Sequence, residues 1–486
     1  MKKSSYTKLA IAVTAALSFG PSAQAAPATW NASPTIGNWE AAGAEDNWST
    51  GPGTFPGALS SITDSDTATF LTSSGTTIAI NATASNATSL GIGSITFGVV
   101  ASASAFTIGT TGGNSLLLGN GGQIGISSGR TVTGATETVN APLVLEPASA
   151  TTAGAYTFSN ASGLAGDILK IGGTVTGGTT TQGITLTLTG SSTTANEISG
   201  IISNGGAALG VAVTKASSGT WSLSGTNSYT GVTTIAGGVL LANSANALNT
   251  TALGGNVTFT GGTLRYGSTF AGGANADISS RIKNSTSAIS IDTNGFNATF
   301  ASALDSSNTG GLTKSGTGTL TLSVANSYTG NTTISNNGTL AAGNDAAFGT
   351  GTVVFLGGSP NASTVASSAN VTLANNFTAS GAFATFNASG GTMTINGNFT
   401  GTQQVNLTPT NKITFAGTNS LVSGFGGQGL NIGAGAGGVD FTGSTTVSGA
   451  STAAGAGYLL ISGTAVSVKT GGTLTINGTT NASKAS

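Results

Sequence analysis

From Thr67 onward the chain alternates apolar residues with Thr or Ser in short runs, and Gly or Asn separates one run from the next. Ala68–Phe70, Thr77–Ile80, Ile95–Phe97, Phe106–Ile108 and Leu116–Leu118 open the series. Ile184–Thr189, Val257–Phe259, Ile289–Ile291, Val353–Phe355, Met393–Ile395 and Leu474–Ile476 continue it. A period of two is the signature of a strand with one face buried and one face wet. Threonine suits the wet face because its branched side chain packs well on a pleated surface. Gly and Asn between the runs accept the positive φ that tight corners require.

Many short strands fit a sandwich, a barrel or a β-helix. Length chooses among them, because 486 residues exceed what one sandwich or closed barrel needs, whereas a β-helix grows by adding coils. The expected fold is therefore all-β, a parallel β-helix (solenoid). At roughly 20–25 residues per coil and about 4.8 Å per coil it forms a rod on the order of 90–110 Å long.

The first residues follow a different pattern. Lys2, Lys3 and Lys8 precede an apolar run from Leu9 to Phe19, Pro21 breaks the run, and Ala23-Gln24-Ala25 supplies an A-x-A cleavage site. Residues 1–25 read as a secretory signal peptide, the run being too short for a membrane span of about 20 residues. Residues 26–75 hold Trp30, Trp39 and Trp48, broken by Pro34, Pro52 and Pro56, and read as a cap over the first coil rather than as a ligand-binding aromatic cleft. Coils are expected over 76–212, over 213–380 with an internal repeat, and over 381–486, where no membrane barrel is recognisable.

The repeat is explicit. Residues 213–240 read VTKASSGTWSLSGTNSYTGVTTIAGGVL and residues 312–340 read LTKSGTGTLTLSVANSYTGNTTISNNGTL. Lys215 aligns with Lys314, Asn227 with Asn326, Tyr229 with Tyr328 and Gly231 with Gly330, all at one offset. These two segments resemble the autotransporter-associated β-strand repeat, also called the passenger-associated transport repeat. The first departs from the pattern at Val213, Ser217 and Trp221. The resemblance implies an exported right-handed parallel β-helix of the bacterial surface, help with secretion or folding, contact with the secretion machinery and no catalytic residues. It does not extend to an outer-membrane barrel, since the C-terminal stretch lacks the aromatic girdles of such strands.

Composition narrows the chemistry. Charged residues are 6% of the chain, against about 25% in an ordinary soluble domain. Loss of the leader removes three lysines and leaves ten basic against 14 acidic residues, a balance that does not favour nucleic acid. There is no Cys and no His. Disulfides, thiolate metal sites, the usual zinc ligand and His-based general-base catalysis are thereby excluded.

The enzyme class to weigh is a polysaccharide lyase or hydrolase. It needs clustered carboxylates, and for glycoside hydrolysis a pair about 5–9.5 Å apart. Glu137, Glu146, Asp167, Glu197, Asp277, Asp292, Asp305, Asp345 and Asp440 are scattered, and the close pairs Glu45/Asp46 and Asp64/Asp66 read as turn and cap chemistry rather than as a calcium site. Lys215 and Lys314 are expected to be solvated turn residues, Tyr229 and Tyr328 to pack at coil corners, and Gly433–Gly438 to be a corner and not a phosphate loop. Asn-x-Ser/Thr triplets at Asn81, Asn376 and Asn398 follow from composition. Thr185, Thr187 and Thr189 suggest an ice-binding-like array, but such arrays need register on successive coils and the spacing is irregular. The sequence thus predicts no catalytic, cofactor or metal site. It predicts a secreted or cell-surface solenoid with a structural or adhesive role, whose ligands are cells, matrix or polysaccharide.

Overall fold

A computed structural model of the chain describes residues 27–477, omitting 32–37, 40–46, 52–53, 60–64, 72–76, 81–88, 99–104, 131–133, 250–253, 274, 358–361, 381–382, 424–429, 434, 450–458, 462–465 and 469–471. The signal-peptide residues, Glu45, Asp46, Asp64 and Asn81 lie outside the described residues.

The chain folds as a parallel β-helix, and the described residues are all-β apart from the short helical turns Ser268–Ala271 and Ser279–Arg281. Strands wind around three faces. On the first, Ala28–Thr29, Thr67–Phe70, Ser89–Phe97, Ser115–Ile126, Gly154–Asn160, Ile184–Gly190, Val211–Lys215, Thr233–Ile235 and Val257–Phe259 pair in parallel. On the second, one parallel ladder runs from Thr77–Ile78 to Thr473–Asn477, and its sixteen steps span about 77 Å. The third carries Leu143–Leu145, Val175–Gly177 and Ile202–Ser203 early, then eight strands from Ala298–Phe300 to Leu459–Ile461.

After Val257–Phe259 the first face is completed by irregular chain. Ile282 bridges Val257, the Thr309 amide donates to the Ser285 carbonyl, and the Ser327 amide donates to the Leu304 carbonyl. Strands resume on this face at Val371–Leu373 and continue to Val466–Val468.

The core is a narrow stack inside the coils. Burial alternates along almost every strand, as in Gly154–Asn160 and Val371–Leu373. In-register pairing turns that alternation into columns, so that Trp221, Leu240, Leu264 and Ile291 stand one beneath another. Corners are held by backbone and by asparagine. The Asn376 side-chain carbonyl accepts from the Asn398 amide, and that of Asn398 accepts from the Thr418 amide, both at 2.9 Å. At the Gly433–Gly438 corner a side chain on Gly437 would collide with the Asn411 backbone at 2.0 Å, so close coil-on-coil approach fixes glycine there.

The N-terminal aromatics close the first coil. Trp30, Trp39 and Trp48 are buried and pack around Phe70, with ring centroids 5.6–6.0 Å from it. Two of the three indole nitrogens are used locally: Trp39 Nε1 donates to the Pro56 carbonyl and Trp48 Nε1 to the Trp39 carbonyl. Ala58–Leu59 pairs antiparallel with Ser89–Phe97, against the parallel rule of the coils.

Candidate functional site

Lys215 and Lys314 are not solvated turn residues. Both are fully buried, and each stands in a core column. Lys215 lies between Leu188 and Ile235, and Lys314 between Ile291 and Ile334. The ammonium of Lys215 donates to the carbonyls of Ala216, Ser217 and Gly237 at 2.6–3.0 Å. That of Lys314 donates to Ser315 and Gly316, both at 2.7 Å. Burial lowers both side chains to a pKa of about 8, and for Lys314 the nearby Asp292 opposes the shift. The signal was present in the alternation, because Val211, Val213 and Lys215 fall two apart on one strand, as do Leu312 and Lys314.

The other recurring side chains form a second construction, built twice. Asn227 accepts from the Ile202 amide and donates to the Ala247 carbonyl, so it ties its own coil to the coil on either side. Asn326 does the same with the Leu304 amide and the Ala347 carbonyl. Tyr229 is buried with its hydroxyl 2.8 Å from Thr233 Oγ1, and Tyr328 with its hydroxyl 2.6 Å from Thr332 Oγ1. Tyr229 and Tyr328 thus pack where the chain turns between faces, as expected of them.

In the comparison with known families, the passenger-associated-transport-repeat family matches residues 213–242 and 312–342, the two segments that carry these side chains. The chain carries two passenger-associated transport repeats. No curated protein and no solved structure matches it. The two repeats share their internal contacts but not their faces. The first begins on face one with Val211–Lys215 and places Asn227 on face three, where the Ser228 amide meets the Ile202 carbonyl. The second begins on face two with Leu312–Ser315 and places Asn326 on face one, where the Ser327 amide meets the Leu304 carbonyl. Four successive steps of ladder two separate Thr220–Leu223 from Leu312–Ser315, so the offset between the repeats is four coils and one face.

Carboxylates scattered in sequence are partly gathered by the coils. Glu137 and Asp167, one coil apart, converge on Arg130, whose Nη2 lies 2.5 Å from Glu137 Oε1 and whose Nε lies 3.7 Å from Asp167 Oδ2. All three side chains are inaccessible to solvent. The cluster is tied into backbone: Glu137 accepts from the Phe106 amide, and Asp167 accepts from the Gly134 amide and the Ser162 hydroxyl. Burial raises the Glu137 carboxyl above its ordinary range, against the lowering effect of the Phe106 amide and of Arg130.

The outer carboxylates are spent on neighbours. Glu197 pairs with Lys170, Asp292 with Arg265, Asp305 with Lys283 and Asp440 with Lys412, each joining adjacent coils. Asp66 is buried and accepts from the Gly57 amide, a loop staple. Among the described residues no group of three His, Cys, Asp or Glu could hold a metal ion.

Thr187 stands in a register column although its partners are irregularly spaced along the chain, whereas Thr185 is flanked by Ala155 and Ala212. Thr157, Thr187, Thr214, Thr234 and Thr258 form one outward rank on face one. On face two Thr263, Ser290, Thr313 and Thr333 are followed, after Val354, by Thr378, Thr400, Ser420, Thr446 and Thr475. Coil length varies from 20 to 30 residues along the first rank, and the corners absorb the difference.

Proposed function

We propose that the protein is an exported, passenger-like β-solenoid of the bacterial surface with a structural and adhesive role, and that it is not an enzyme. Export is supported by the leader-like residues 1–25 and by the two passenger-associated transport repeats. The observation that carries the adhesive reading is the outward surface, in which hydroxyl ranks run from coil to coil along each face. Such a surface offers many hydrogen bonds with little long-range steering. No helix among the described residues is long and apolar enough to cross a membrane, a statement that does not bear on barrels.

A non-catalytic role is supported by how the charges are used, since Glu137, Asp167, Lys215 and Lys314 are buried as structural ties. The competing reading is a polysaccharide lyase or hydrolase. Purified protein incubated with a polysaccharide panel separates the two. Adhesion predicts saturable co-sedimentation without new reducing ends or unsaturated products. Sustained turnover by the pure protein contradicts it.

A further inference from the structure

The outer surface of the third face is hollowed between residues 319 and 408. An open groove of 610 Å³ crosses five successive strands, Thr319–Leu322, Thr339–Ala342, Ser363–Ser367, Ala384–Asn387 and Val405–Thr408. Its four ladder steps make it about 19 Å long, parallel to the solenoid axis.

Register orders its lining. Thr319, Thr339, Thr364 and Thr385 form one rank, and a second rank passes from Thr321 through Ala341 and Ala366 to Asn387. The two alanines lower the floor where longer side chains would fill it. Among the described residues none that lines the groove is charged or aromatic. Some surface hydroxyls outside the groove close on one another, as Thr263 does with Ser290 at 3.0 Å and Thr189 with Ser217 at 2.7 Å. In the groove the hydroxyls of Thr321, Thr339, Thr364 and Thr385 make no hydrogen bond to any described residue.

A neutral trough with a hydroxyl at every coil suits a ligand that is itself neutral, linear and rich in hydroxyls. An ionic polymer finds no opposite charge there. A peptide strand needs open backbone groups, and inside a ladder these are already paired. We propose that this groove binds an extended segment of a neutral polysaccharide lying along the solenoid axis. The proposal rests on the adhesive reading above and names its ligand class.

The test uses the full chain in affinity electrophoresis and calorimetry, with soluble neutral glucans and mannans as probes and polygalacturonate as the acidic comparison. A neutral polymer should bind. The triple variant Thr339→Val, Thr364→Val, Thr385→Val should weaken that binding by about tenfold or more, the loss of a few hydrogen bonds, with an unchanged melting temperature. Ala366→Phe, which fills the floor from an outward position, should weaken it likewise. Neutral-polymer binding that both folded variants retain in full overturns the groove and leaves adhesion standing. Binding of polygalacturonate alone overturns it too, as does thermal hysteresis in freezing solutions without affinity for glycans. Absence of binding to any polymer overturns the groove, and the adhesive reading falls with it only if the full chain also fails to bind cells and matrix.

Discussion

Lys215 and Lys314 occupy the same place in the repeat yet stand on different faces of the solenoid. Lys215 is stacked on Ile235 in face one, and Lys314 on Ile334 in face two. The carbonyls that each ammonium meets and the isoleucine on one side of it come from the repeat, while Leu188 and Ile291 on the other side come from the preceding coil.

The buried lysines give stability a dependence on pH. Each has a pKa of about 8 when folded, against about 10.4 in an unfolded chain. Between those values the unfolded chain binds more protons, so stability rises with pH, on the order of 3 kcal/mol per lysine over the whole interval. Above about pH 10 the gain reverses, because burial raises the folded Tyr229, Tyr266 and Tyr328 hydroxyls well above their ordinary value and only the unfolded chain loses those protons. Denaturant midpoints from pH 7 to pH 10 should rise for the wild type and stay nearly flat for Lys215→Met, Lys314→Met.

Asn227 and Asn326 each link neighbouring coils above and below their own. Asn227→Ala or Asn326→Ala leaves a buried amide and carbonyl without partners, at a cost of about 2–4 kcal/mol each. Equilibrium unfolding should show the loss in both variants. The two should be nearly additive, since the residues share no contact.

Arg130→Met strands Glu137 and Asp167 in the interior and should cost about 3–5 kcal/mol. Adding Glu137→Gln to that variant should recover part of the loss. Chemical denaturation of wild type, single and double variants measures both steps.

Trp48 closes the first coil against Trp30, Trp39 and Phe70. Trp48→Ala should cost about 3–5 kcal/mol. In a solenoid that loss stays near its origin. Hydrogen exchange should accelerate in Thr67–Phe70 and Ser89–Phe97 and remain unchanged beyond residue 300.

The strands and the repeat were legible in the sequence because alternation and Gly/Asn corners are local. The same alternation carried the inward direction of Lys215 and of Glu137, which shares its parity with Ala135 and Val139. Expecting every charge to reach water obscured it. Registers between coils were not legible, because corners of unequal length leave Thr187, Thr214 and Thr234 at uneven intervals while pairing brings them into line. The Arg130 cluster was hidden for the same reason. Its members meet only once two coils are stacked.

In the parallel solenoid the second repeat lies one face beyond the first. This placement is tested most directly by a cysteine pair, and the chain has no cysteine of its own. Ser290 and Thr313 are in-register, outward neighbours on face two. Ser290→Cys with Thr313→Cys should form a disulfide under mild oxidation, since paired parallel strands bring Cα atoms within the 4.4–6.8 Å range that a disulfide spans. If both thiols stay free in the folded, oxidised protein, then Leu312–Ser315 does not follow Ile289–Asp292 on that face, and the account of the repeats is wrong.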